Sequence, residues 1–148
     1  MPFVTVVTDM VSTHAFWYDP RASLIIVPTE AERQRGIRMG VPPERVRVAG
    51  QPVSERFRLP PGDRMAKRRA LGWREDLPVA LLVGGGEGMG PLEAVAQMVA
   101  QAGLPLTLVV VAGRNRELEE RLRATPWHIP VFIYGFVADM PDFMRAAD

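Results

Sequence analysis

Val79-Ala80-Leu81-Leu82-Val83, then Gly84-Gly85-Gly86-Glu87-Gly88-Met89-Gly90-Pro91, then Leu92 to Ala102 form the stretch that decides the fold. The first segment is a short apolar run with the length and make-up of a strand buried on both faces. The second places glycine at 84, 85, 86, 88 and 90. The third carries Leu92, Val95, Ala96 and Val99 at helical spacing, with Pro91 suited to the first helical position. A strand, a glycine loop and a helix start in this order present free backbone N–H groups and a positive dipole end to an anion, typically a phosphate. Glycine lets a ligand approach the backbone closely and supplies positive φ where the turn needs it.

Two familiar phosphate loops do not fit. The dinucleotide fingerprint needs glycines at i, i+2 and i+5, but Met89, Pro91 and Glu93 occupy the third position in each possible frame. Gly85 and Gly90 have the spacing of a P-loop, yet Pro91 stands where its lysine must be. The expectation is therefore a phosphate-type loop of another kind. The plain alternative is a glycine-rich turn that binds nothing.

The 148 residues suffice for one ordinary domain or two partial ones, and an apolar content of 47% supports a packed core. A net charge of +1 gives no general argument for nucleic acid, and none is expected as a partner. Without cysteine there is neither a disulfide nor a thiolate metal site, and His14 and His128, the two histidines, have no ligand spacing; no metal is expected. No apolar run approaches the ~20 residues of a spanning helix. The N-terminus is strand-like and lacks the pattern of a signal peptide.

In chain order, Phe3 to Val7 predicts a buried strand with Thr8-Asp9 at its carboxyl end, where open α/β sheets place ligand-facing residues. A loop holding His14, Trp17 and Tyr18 precedes a strand over Leu24 to Val27. Thr29 and Glu32 have the spacing of a capping box, opening a helix that ends near Met39 and Gly40. Val46 to Ala49 is a third strand. Ser54 to Asp63, with Pro60-Pro61-Gly62, is linker-like. A basic helix over Arg64 to Leu71, ended by Gly72, leads into the central stretch. Further strands over Leu106 to Val111 and Val131 to Tyr134 alternate with helices over Glu117 to Ala124 and from Met140 to Ala147. This alternation predicts an α/β class with parallel sheets. With no closing element after Ala147-Asp148, the sequence reads as an interior piece of something larger.

Taken in series, Val6-Val7-Thr8-Asp9, His14, Trp17, Val27-Pro28-Thr29, Gly50-Gln51-Pro52-Val53, the Gly84–Pro91 string, Gly113-Arg114-Asn115 and Gly135-Phe136-Val137 resemble the diacylglycerol glycosyltransferases. These include the monogalactosyldiacylglycerol synthases and are related to the lipid II glucosaminyltransferase. The resemblance implies a GT-B fold, with parts of two Rossmann-like domains. Residues 1–58 would be the end of an acceptor-side domain, and residues 59–148 the first half of a UDP-sugar-binding domain. It further implies inverting, metal-independent transfer of a hexose from a UDP-hexose donor to diacylglycerol, with no cofactor beyond the donor substrate. The expected location is cytoplasmic, peripheral at the inner face of the cell membrane. A polyprenyl-linked acceptor is the related alternative, and a non-catalytic nucleotide-binding fragment is the alternative of another class. One departure concerns the position after Pro52-Val53, where relatives carry a basic residue and this chain has Ser54.

On this resemblance, Gly84, Gly85, Gly86, Glu87, Gly88 and Met89 cradle the donor diphosphate. Glu87 would repel that group, so it either takes a sugar hydroxyl, orients the loop, or is solvated. Arg114 and Asn115 contact donor phosphate or sugar, unless Asn115 caps a helix. Phe136 and Val137 read the uracil edge, unless Phe136 is core. Asp9 and His14 are acceptor-side candidates, with His14 lining that site rather than acting as the base. His128 is structural. Arg64, Lys67, Arg68, Arg69 and Arg74 are either a patch for anionic lipid or a solvated helix face.

Overall fold

A computed structural model describes residues 1–88 and 90–148. Met89, one of the expected cradle residues, lies outside the described residues. The chain divides into two compact units, Met1–Phe57 and Arg58–Asp148.

The first unit is a parallel three-stranded sheet in the order β1 (Val4–Val6), β2 (Leu24–Val27), β3 (Val46–Val48), with α1 (Glu30–Arg38) crossing between β2 and β3. Its core is Val7, Tyr18, Ala22, Ile25, Val27, Val41 and Val46. The Tyr18 ring lies against Gly36 of α1, where a Cβ would meet it at 2.8 Å, so the helix carries glycine at its point of contact. The first strand departs from expectation. It is an outer strand, and its Val4 and Val6 are about half exposed. The α-helix of this unit packs on β2 and β3 and leaves that side of β1 in solvent.

The second unit has a parallel sheet in the order β4 (Val79–Val83), β5 (Thr107–Val111), β6 (Val131–Tyr134). Four helices accompany it: α2 (Arg64–Leu71), α3 (Leu92–Gln101), α4 (Arg116–Ala124) and α5 (Met140–Ala146). The strand buried on both faces is β5 rather than β4. Val109 and Val111 face a core with Trp73, Val79, Phe143 and Ala146, while Leu108 and Val110 face one with Leu92, Ala96, Leu118 and Leu122. This is the period-2 alternation of a central strand with a core on each side. As an edge strand, β4 keeps partial exposure from Ala80 onward.

Capping follows local chemistry. Asp63 accepts from the N–H groups of Met65 and Ala66 at the start of α2, and Gly72 ends that helix at φ +71°. Pro91 stands one position earlier than expected, at the N-cap of α3, and offers no side-chain cap. The capping box of α1 is only half made. Thr29 Oγ1 accepts from Glu32 N at 3.2 Å, but the Glu32 carboxylate turns away to the loop before β2.

Candidate functional site

Loops at the carboxyl ends of β4, β5 and β6 meet in the second unit. The glycine loop is locked to the loop after β5 through the main chain. Gly84 N donates to Val111 O at 3.1 Å and Arg114 N to Gly86 O at 2.8 Å, while Asn115 Nδ2 reaches Gly88 O at 3.4 Å. No side chain fits into this joint. A Cβ on Gly88 would lie 2.1 Å from Ala112 O, and one on Gly113 would lie 2.4 Å from Gly85 O; both glycines also have positive φ. Four of the loop's glycines thus serve the turn or the joint before they serve a ligand: Gly84 packs on Gly88 and Leu92, Gly88 on Ala112, and Gly85 and Gly90 have φ +70° and +88°. Gly86 differs. Its φ suits any residue, and only Arg114 Nη1, at 3.4 Å, would face its Cβ.

Glu87, Arg114 and Phe136 form a chain across the three loops. Glu87 Oε1 accepts from Arg114 Nη1 at 2.8 Å, and the guanidinium lies 4.4 Å from the centre of the Phe136 ring. Phe136 is exposed, so it is not core. Beside it, Val83, Gly85, Gly86, Val111, Gly113, Phe136, Val137 and Met140 line an apolar crevice of about 230 Å3. Gly84 to Gly88, Arg114, Phe136 and Val137 are therefore brought to one end of one sheet. Asn115 has the plainer of its two roles as well as its place here: its Oδ1 accepts from Leu118 N at 3.0 Å and caps α4. Val83, Val111 and Met140 were not singled out from sequence, since apolar residues at strand ends carry no chemical signal.

In the first unit, Val6, Val7, Thr8, Asp9 and Trp17 line a cavity of about 320 Å3 at the end of β1. His14 is not among its walls. It is exposed, and its Nδ1 accepts from Phe16 N at 3.2 Å, capping the short 3-10 turn Ala15–Trp17. One of its two ring nitrogens is thus engaged locally. Phe16 and Trp17 stand out into solvent, 76% and 52% exposed, with their rings edge to face at 5.7 Å.

What holds this loop escaped the sequence reading. Glu32, fully buried, accepts from Thr13 N at 3.4 Å and from the Tyr18 hydroxyl, which also contacts Glu32 O at 3.0 Å. Arg35 Nε ties Thr13 O at 2.9 Å. Burial, reinforced by the Glu32 carboxylate, pushes the Tyr18 hydroxyl up to about 12. Burial alone would raise Glu32, but the hydrogen bonds from Tyr18 and Thr13 outweigh it and leave the carboxyl below its ordinary value.

The five basic residues after the linker do not make a free cationic patch. Arg64 and Arg68 pair with Asp148, Lys67 with Asp142, Arg69 with Glu75 and Arg74 with Asp76. Arg68 is buried, not surface-facing.

Compared with known proteins, residues 1–53 match the family described as monogalactosyldiacylglycerol (MGDG) synthase. Over 99% of its length the chain is 39% identical to a probable chloroplastic monogalactosyldiacylglycerol synthase of Nicotiana tabacum. It is 35% identical over 99% to the chloroplastic monogalactosyldiacylglycerol synthase 1 of Arabidopsis thaliana. This stretch of chain is thus similar, over nearly its whole length, to part of the monogalactosyldiacylglycerol synthases. It spans 29% of the length of either plant relative. Among solved structures, Anabaena Alr3699/HepE in complex with UDP-glucose superposes with a TM-score of 0.61 at 22% identity, covering 99% of this chain and 45% of that one. The fold is of the GT-B type, with parts of two Rossmann-like domains and parallel sheets. Among the described residues, no helix is long and apolar enough to cross a membrane.

Proposed function

We propose that the protein carrying this stretch moves a hexose with inversion from a UDP-hexose to diacylglycerol, with the donor held by the second unit and the acceptor by the first. The observation that carries the reading is the convergence of the glycine loop, Arg114 and Phe136-Val137 around one apolar crevice at the ends of β4, β5 and β6. That is where open α/β sheets bind their ligands. The crevice and the exposed Phe136 suit the flat uracil. Diphosphate faces the glycine loop and the start of α3, whose N-cap residue Pro91 supplies no side-chain oxygen to compete for the first N–H groups. As UDP leaves, charge grows on its β-phosphate, and fixed N–H dipoles stabilise it without a metal or cofactor.

On the acceptor side, Asp9 and Trp17 share a cavity beside the exposed Phe16 and Trp17 rings. Tryptophan, with an apolar ring and a polar N–H, favours the membrane–water interface, and Phe16 adds apolar surface beside Trp17. This supports a lipid acceptor and peripheral attachment, at the inner face of the cell membrane, where nucleotide sugar and lipid are both in reach. His14 stands outside the walls of that cavity, capping the Ala15–Trp17 turn, and is not assigned the role of base.

The test is calorimetry of UDP on the full-length protein and its Gly86→Val variant, together with transfer from UDP-hexose to diacylglycerol in vesicles. Gly86 tolerates a side chain in its backbone conformation, so the variant folds while its valine fills the ligand side of the loop. UDP affinity is expected to fall more than about tenfold. Unchanged UDP affinity in the folded variant, or no transfer to diacylglycerol by the parent, sinks the proposal.

A further inference from the structure

We infer that Arg114 is an exchangeable clamp: it holds Glu87 while the donor site is empty and passes to the donor diphosphate when UDP-hexose binds, freeing the Glu87 carboxylate to accept a hydrogen bond from a hexose hydroxyl. The inference rests on the donor-site reading above and goes beyond it by giving these two side chains a sequence of partners.

The starting problem is electrostatic. A carboxylate in a loop that receives a diphosphate opposes the ligand at close range. The structure shows how the loop tolerates it, since Glu87 Oε1 and Arg114 Nη1 pair at 2.8 Å. This pair is cheap to break. Its side chains are 67% and 60% exposed, where water screens an ion pair to little net value.

Arg114 is also built to change partners without moving far. Its N–H donates to Gly86 O at 2.8 Å, which fixes the base of the side chain to the loop. Its guanidinium lies 4.4 Å from the Phe136 ring centre. Stacking uses the face of the guanidinium and leaves its N–H edge to anions. Gly86 gives that edge room, because only Nη1 approaches the place of its missing Cβ, at 3.4 Å. A diphosphate presents several charged oxygens in a geometry that the planar fork matches, and it outcompetes one exposed carboxylate. Glu87, left without its cation beside a phosphate, then needs a donor. The hydroxyls of the hexose supply one, and UDP alone does not.

That asymmetry is the measurable consequence. In the full-length protein, Glu87→Gln removes the competitor and the repulsion, so UDP is expected to bind about three- to tenfold tighter. The same variant gains nothing on UDP-hexose, so its preference for UDP-hexose over UDP falls by the same factor, about three- to tenfold. Arg114→Gln weakens both ligands, and Arg114→Lys, which keeps charge but not the planar stack, restores them only in part. All three substitutions are at exposed side chains outside the core, and thermal melting checks the fold. Calorimetry with UDP, UDP-galactose and UDP-glucose reads the result. If Glu87→Gln changes both ligands equally, or neither, while Gly86→Val still abolishes UDP binding, the exchange is wrong and the donor site stands. If Gly86→Val leaves UDP binding intact, the donor site and the exchange both fall.

Discussion

Arg68 and Asp148 meet at 2.5 Å, and through that pair the last residue of the chain is fastened to α2 and to the start of β4. The guanidinium is 2% exposed and also donates to Ala146 O at 2.8 Å and Leu77 O at 3.2 Å, while Asp148 Oδ2 accepts from Val79 N at 2.8 Å. Replacing Arg68 with methionine strands two carbonyls and a carboxylate at once. The expected loss is about 2–4 kcal/mol in chemical denaturation of the second unit. Asp148→Asn costs less, because its carboxylate is 40% exposed.

The same pair gives an acid limit. The Val79 N–H, working against burial and helped by Arg68, holds the Asp148 carboxyl below its ordinary value. A depressed carboxylate stabilises the fold above its unfolded pKa, near 3.9, and that contribution is lost as pH falls through the lower, folded value. Denaturation followed below pH 4 should show this loss in the parent and not in Asp148→Asn.

An alkaline limit belongs to the first unit. Tyr18 keeps its proton to about 12 because it is buried and hydrogen-bonded to Glu32. Its unfolded counterpart ionises near 10, so stability present below pH 10 declines between about pH 10 and 12. Tyr18→Phe should abolish that step. It should also cost about 1–2 kcal/mol at neutral pH by leaving a buried Glu32 oxygen without its donor. Thermal unfolding of parent and variant across this range reads both effects.

Gly88→Ala should be far worse than Gly86→Ala. The first places a methyl 2.1 Å from Ala112 O at φ +61°, and the second meets only the tip of Arg114. About 2 kcal/mol or more is expected for the first, and well under 1 for the second. Comparable melting temperatures for the two variants would mean that the loops do not interlock as described.

Vesicle co-sedimentation separates two surfaces. Neutralising Arg64, Lys67, Arg69 and Arg74 should leave binding nearly unchanged, because each already has a carboxylate partner. Phe16→Ser with Trp17→Ser should reduce it several-fold. The opposite pattern would move the membrane contact to the second unit.

Much of this was legible in order and type. The Arg64–Leu71 helix, its Gly72 stop, and the strands at Leu24–Val27, Val79–Val83 and Val131–Tyr134 all follow from local pattern. Sheet position did not follow. Val79–Val83 is apolar at every position and Thr107–Val111 at all but the first, yet pairing makes β5 the central strand. Partners far along the chain were equally hidden. Thr29-x-x-Glu32 promised a reciprocal box, but Tyr18 and Thr13, fourteen and nineteen residues away, claim the carboxylate. A run of basic residues reveals charge and not the aspartate, 80 positions on, that buries one of them. In the candidate site, glycines were legible as a loop, while their division between ligand-facing and joint-forming positions required the neighbouring strand.

The joint between the glycine loop and the Gly113–Asn115 turn sets a rule for anyone who would re-engineer this sheet end. Because Gly88 and Gly113 each occupy space against the other loop's main chain, neither segment is an independent cassette. A graft of residues 84–90 alone from a transferase with different donor preference would meet a host turn shaped for other atoms. Chimeras should therefore exchange 84–90 and 112–115 as one unit.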